Sequence, residues 1–149
     1  MSTQLTYRGQ TLLLKYAFGE ESIPTSFRMK LVTDTEVTAA INTFSELSEL
    51  PNGGGYTTGG IAFDKTDMTF AQGNGTNQAS ATVTDGTFTW TATSGGMPAS
   101  GTGYTYAVIT DGTATDNVIM FVDLEEAQTL DTGQTQDIND VVIWTANHF

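Results

Sequence analysis

Few residues of this chain could do covalent chemistry. Its only histidine, His148, is the penultimate residue, and cysteine is absent. General-base catalysis at neutral pH draws most often on histidine, whose ordinary pKa lies near neutrality. Without an internal histidine or a thiol, neither a Ser-His-Asp nor a Cys-His arrangement can assemble, and an ordinary zinc site lacks its ligands. Acidic residues gather at Asp111 with Asp116, at Glu125 with Glu126, and at Asp131, Asp137 and Asp140. Their oxygens would suit calcium, yet no cluster shows the spaced ligands of a calcium loop. A carboxylate pair for glycoside hydrolysis would come from separate strands, so spacing alone selects no candidate. "GGGYTTGG", residues 53–60, has the glycines of a phosphate loop without its Gly-Lys-Ser/Thr ending. It also runs into an alternating stretch where a phosphate loop would enter a helix, so its glycines read as turn formers. The chemistry points to a chain that binds and does not turn over: no enzyme, no catalytic residue, no cofactor, no metal.

Candidate binding residues are of two kinds. Tyr104, Tyr106, Trp90 and Trp144 could stack on a sugar, but aromatics that alternate along strands more simply fill a core. An "NGT" glycosylation sequon stands at residues 74–76. The basic residues Arg8, Lys15, Arg28, Lys30 and Lys65 all fall in the first 65 positions, whereas ten Asp and Glu follow Lys65 with no further Lys or Arg. A formal net charge of -12 speaks against nucleic acid and anionic membranes as partners, since both require a cationic footprint. The skew fits an acidic solvating surface, or an early segment that faces an acidic partner.

These residues must be held by β-structure. Thr makes up roughly a fifth of the 149 residues, beside 16 Gly and 3 Pro, a composition suited to pleated, half-exposed surfaces with many turns. The length fits one domain spanning 1–149, an antiparallel β-sandwich or barrel with one short N-terminal helix. No disulfide framework is possible, no basic segment followed by an apolar run opens the chain, and no stretch approaches a membrane span. Synthesis in a cytoplasm is the expectation.

"YRGQTLLLKYAFGEES", residues 7–22, is the helix candidate, with Leu13, Tyr16 and Ala17 on its apolar side, Leu14 and Phe18 beside them, and Gly19 as its stop. "FRMKLVTD", residues 27–34, alternates Phe27, Met29 and Leu31 against Arg28, Lys30 and Val32 and predicts a core strand. "SATVTDGTFTWTAT", residues 80–93, predicts a hairpin closed by a type I′ turn at Asp85-Gly86, with Val83 opposite Phe88 and Ala81 opposite Trp90. "GNGTNQ", residues 73–78, reads as a loop, and "SGGMPASGTG", residues 94–103, as an exposed excursion. "YTYAVIT" and "NVIMFVDL" predict two central strands joined by "DGTATD", and Val141 to Trp144 a closing one.

Taken in order, "TLLLKYAFG", "MKLVTD", "GGGYTTGGIAF", "TFTWTAT", "YAVITD", "IMFVDL" and "QTLDTGQTQDI" resemble a family of small virion structural proteins of tailed bacteriophages, labelled minor tail or tail-fibre-like proteins and including capsid decoration proteins. The resemblance runs from about Gln10 to Ile143. It departs where family members carry a Trp-Gly and this chain has "PASGTGYT". It implies a β-sandwich in the virion, working as a capsid decoration or cement protein that binds the outer shell and stabilises capsomer junctions. The implied partners are the major capsid protein or other virion proteins, with further copies of the chain in a homo-oligomer such as a trimer. A tail or baseplate accessory protein is the second reading, and a carbohydrate-binding module using Tyr104, Tyr106 or Trp90 the third. The expected contact surface comprises Tyr7, Arg8, Lys15, Arg28 and Lys30.

Overall fold

The N-terminus enters as a strand and turns at once into a helix, because Thr6 stops the one and caps the other. The computed structural model describes residues 1–72 and 79–146, with the backbone alone described from 144 onward. β1 (Ser2–Leu5) leads to α1 (Tyr7–Ala17), shorter than the 7–22 stretch suggests. The fully buried Thr6 accepts a hydrogen bond from the Gly9 N–H at 2.8 Å and donates to the Val118 carbonyl at 2.6 Å. At the other end Gly19 adopts φ +72°, and the N–H groups of Gly19 and Glu20 return to the carbonyls of Tyr16 and Lys15. That is a Schellman closure, and it ends the helix where Gly19 predicted. Because the Thr6 hydroxyl serves helix and sheet together, Thr6→Ala is expected to lower stability by about 1–2 kcal/mol and Thr6→Ser by much less. Urea denaturation of the two variants measures the difference.

The body is antiparallel β-structure. β2 (Phe27–Val32), β3 (Ile61–Phe63), β7 (Tyr104–Thr110) and β8 (Val118–Gln128) join β1 in a five-stranded sheet of order β1-β8-β7-β2-β3. β4 (Met68–Ala71), β5 (Ala79–Val83) and β10 (Val142–Ala146) form a second sheet, and β6 (Thr89–Thr91) pairs with β9 (Thr135–Asp137). The larger core lies between the five-stranded sheet and the two smaller ones, built on Met29, Leu31, Phe63, Phe88, Trp90, Ile109 and Ile119. The mainly β, antiparallel fold with one short helix agrees with the sequence.

Four local expectations are overturned. The 80–93 stretch is not a hairpin. Thr84 to Thr87 do form a turn, with Gly86 at φ +86°, but Asp85 does not enter the left-handed region that type I′ requires. β5 pairs with β4 and β10, whereas β6 pairs with β9, so the chain crosses here from one sheet to another. Val83, Phe88, Trp90 and Ala92 are all buried as the alternation demands; alternation dictates the face and says nothing of the partner.

β2 is the second case. Its Lys30 and Val32 are as buried as Met29 and Leu31, because the segment after it folds across the other face. There Val37, Phe44 and Val108 make a smaller core. Third, the Gly-rich 94–103 stretch is no free excursion: Met97 is buried and exchanges backbone hydrogen bonds of 2.9 and 2.8 Å with Leu130. Fourth, α1 buries Gly9 and Leu12 and leaves Leu14 and Phe18 in solvent. The "GNGTNQ" loop with its sequon, the Trp144 side chain and His148 lie outside the described residues.

Candidate functional site

Most residues singled out by type are used up within the fold. Asp111 is buried and accepts four hydrogen bonds, from the backbone and hydroxyl of Thr113 and the backbone and side chain of Asn117. It organises the β7–β8 connection. Asp137 accepts from Thr89 at 2.6 Å. Among the described residues no group of three His, Cys, Asp or Glu side chains is placed to hold a metal ion. Trp90, Tyr104 and Tyr106 are all buried, so these rings offer no platform to a sugar. The Tyr104 hydroxyl bonds to Gln136 at 3.1 Å, and burial pushes its pKa up to about 12.

The five residues expected to form one contact surface do not come together. Lys30 is 7% exposed, ion-paired with Asp116, and its Nζ stands 4.0 Å from the centre of the Phe44 ring. A cation so enclosed is a structural element, and Lys30 leaves the candidate surface. Arg28 shares that face of β2, turned away from Phe27, and donates to the Gly59 carbonyl at 3.1 Å. Tyr7, Arg8 and Lys15 remain together on α1. Tyr7 is two-thirds exposed, Arg8 bonds to Asn117 at 3.1 Å, and Lys15 pairs with Glu21 at 2.6 Å.

What the structure adds is an apolar cleft that residue-by-residue reading missed. It has a volume of about 840 Å³ and opens between α1 and the inner face of the β4-β5-β10 sheet. Leu13, Tyr16 and Ala17 supply the helix wall; Met68, Phe70, Ala79, Ala81 and Ile143 supply the sheet wall; Phe27, Ile109 and Ile119 form the floor. The β4–β5 register sets Phe70 beside Ala81, so both reach the same space. Four alanines (Ala17, Ala71, Ala79 and Ala81) line the gap, and side chains that small cannot bridge the two layers. Phe70 and Ile23, each about two-thirds exposed, stand at the rim.

The polar end of the cleft is the short turn Asp64–Thr66. Asp64 accepts from the Thr66 backbone at 2.7 Å and its hydroxyl at 2.6 Å, and these bonds hold its carboxyl below the usual carboxylate range. Lys65 is in no ion pair among the described residues. Tyr16 is pushed up to about 12 by burial, with Asp111 and Glu21 adding to the shift, so it stays neutral at every physiological pH. Among the described residues the cleft combines an apolar lining with one carboxylate held low and one lysine at its polar end, an arrangement that can bind apolar surface. The sequence carried one trace of the cleft, the alternating alanines of "ASA" beside "MTFA", but alanine on a strand reads equally well as tight packing. Neither a protein-family model nor a curated protein matches the chain.

Proposed function

We propose that this chain is a non-catalytic structural module of a tailed-bacteriophage virion, a decoration or cement protein that docks on the outer shell through the cleft beside α1. One observation carries the docking role: an open apolar concavity of about 840 Å³ on a chain of net charge -12. Exposed apolar concavities of that kind mark binding sites on soluble proteins, and their volume here suits an inserted side-chain cluster. The virion setting rests on the order of sequence segments from about Gln10 to Ile143. An acidic, threonine-covered, cysteine-free exterior suits a protein displayed in many copies, because it resists edge-to-edge association and is indifferent to redox conditions. The same segments support the second reading, a tail or baseplate accessory protein. With Trp90, Tyr104 and Tyr106 buried, the sugar-binding reading lacks its residues.

The test combines occupancy with copy number. Ala81→Phe would fill the cleft from its sheet wall, and its occupancy on purified particles is expected to fall at least about tenfold, the equivalent of some 1.4 kcal/mol. Circular dichroism checks that the fold persists. Quantitative mass spectrometry of wild-type particles should give a ratio to the major capsid protein near one or a simple fraction of it. A handful of copies per particle would favour the tail. Undiminished occupancy of a folded Ala81→Phe variant would remove the cleft from the docking role.

A further inference from the structure

An amphipathic surface helix ordinarily carries one apolar stripe, turned to the core. α1 carries two. Its inner stripe is Gly9, Leu12, Leu13 and Tyr16, packed on the sheet. On the opposite side Tyr7, Leu14 and the capping Phe18 are 66%, 50% and 80% exposed, and the exposed Thr11 completes the row. At 3.6 residues per turn these four fall within a sector of about 60°. Five of the six large apolar side chains exposed among the described residues belong to α1 or its flanks, Met1 to Ile23.

We propose that this outer stripe is a contact between two copies of the chain, with their α1 helices packed antiparallel about a two-fold axis. The stripe is self-complementary in that direction. Tyr7 and Phe18 lie equally far from the point midway between Thr11 and Leu14, so each Tyr7 meets the partner's Phe18 and each Leu14 the partner's Thr11. The charges select the same arrangement. Arg8 stands near the N-terminal end and Glu20 just past the C-terminal end. Antiparallel packing brings Arg8 toward the partner's Glu20 at both ends of the contact. Parallel packing would set Arg8 beside the partner's Arg8. Among the described residues Arg8 bonds to Asn117 through Nε and its terminal nitrogens donate to nothing, whereas Lys15 and Glu21 already satisfy one another. The helix dipoles agree, since each partially positive N-terminus lies against a partially negative C-terminus. A two-fold contact of this kind closes on itself and yields a dimer, not a filament.

An 11-residue helix is only about 16 Å long, so the contact is small and the dimer concentration-dependent. The inference stands apart from the cleft and from the place of the chain on a particle. Sedimentation velocity of the purified full chain across a wide concentration range should show a monomer–dimer equilibrium. Phe18→Glu, at a site four-fifths exposed and therefore harmless to the fold, should weaken it at least about tenfold. Arg8→Glu and Glu20→Arg should each weaken it, and the double exchange should restore it, because the swapped charges still meet across the axis. Circular dichroism confirms that each variant is folded. A wild-type chain that stays monomeric, one that assembles as a trimer, association indifferent to Phe18→Glu, or a double exchange that restores nothing would each overturn the proposal.

Discussion

Gly9→Ala is expected to destabilise the protein by about 3 kcal/mol, although alanine is the best helix former and glycine in a helix interior one of the worst. Helix propensity by itself would assign the substitution a gain of about 1 kcal/mol. The tertiary contact reverses the sign. A Cβ on Gly9 would sit 1.9 Å from the Ile119 carbonyl oxygen and 2.6 Å from its carbon, well inside any tolerable approach. The obstructing atoms are backbone in a central strand, so no rotamer change relieves the overlap and α1 must lift away from β8. That displacement also pulls the Thr6 hydroxyl from the Val118 and Ile119 carbonyls and moves the helix wall of the cleft. Chemical denaturation of Gly9→Ala beside Thr11→Ala, on the exposed side of the same helix, separates the two effects. A Gly9→Ala midpoint at or above wild type would mean that α1 does not approach β8 this closely.

Phe88→Ala carries the second large effect, a loss of about 3–5 kcal/mol. Phe88 is fully buried, and its ring meets Phe63 edge-on at 84° with 5.0 Å between centroids. Its backbone carbonyl also receives the Ile138 N–H at 3.0 Å, so the residue stands where the smaller sheets meet the large one. Against a total stability of about 5–15 kcal/mol for a domain, the loss removes a large share of the margin and would markedly lower the unfolding temperature. Phe70→Ala is the control. The same deletion at a ring 66% exposed should change stability by no more than about 0.5 kcal/mol, while it strips the rim of the cleft and, under the proposed docking role, should lower particle occupancy. Thermal unfolding reads the first contrast and particle composition the second. Equal losses of stability at the two positions would show that the 68–71 strand is packed and the cleft closed.

The contrast between Phe88 and Phe70 also shows how far the sequence could be read. Both sit next to Thr in alternating stretches, and nothing local tells the buried ring from the exposed one. Phe88 gains its cover from Phe63 on another sheet, whereas Phe70 faces Ala81 and an open gap. Lys30 is a like case. Its place in "FRMKLV" is that of a solvent-facing lysine on a half-buried strand, and only the distant Asp116 and Phe44, brought over by the next segment, turn it into an enclosed ion pair. The interface expected at Tyr7, Arg8, Lys15, Arg28 and Lys30 loses Lys30 for that reason, and Arg28 stands on the far face of β2. The part of that set on α1 is where an unsatisfied apolar row lies, which its grouping by charge did not anticipate.

The sequence by itself determined the local quantities. Threonine-rich alternation specified β-strands and the faces they bury, Gly19 specified where the helix stops, and the absence of cysteine excluded disulfides and thiolate ligands. Each depends only on a residue and its near neighbours, through side-chain periodicity, backbone freedom or intrinsic chemistry. The tertiary structure alone decided which strands pair, which second face of β2 is covered, and where the layers part to leave a cleft. Those outcomes depend on contacts between segments far apart in the chain. Strand alternation is satisfied equally well by any partner that supplies a buried face, and only the packing of the whole chain chooses among them.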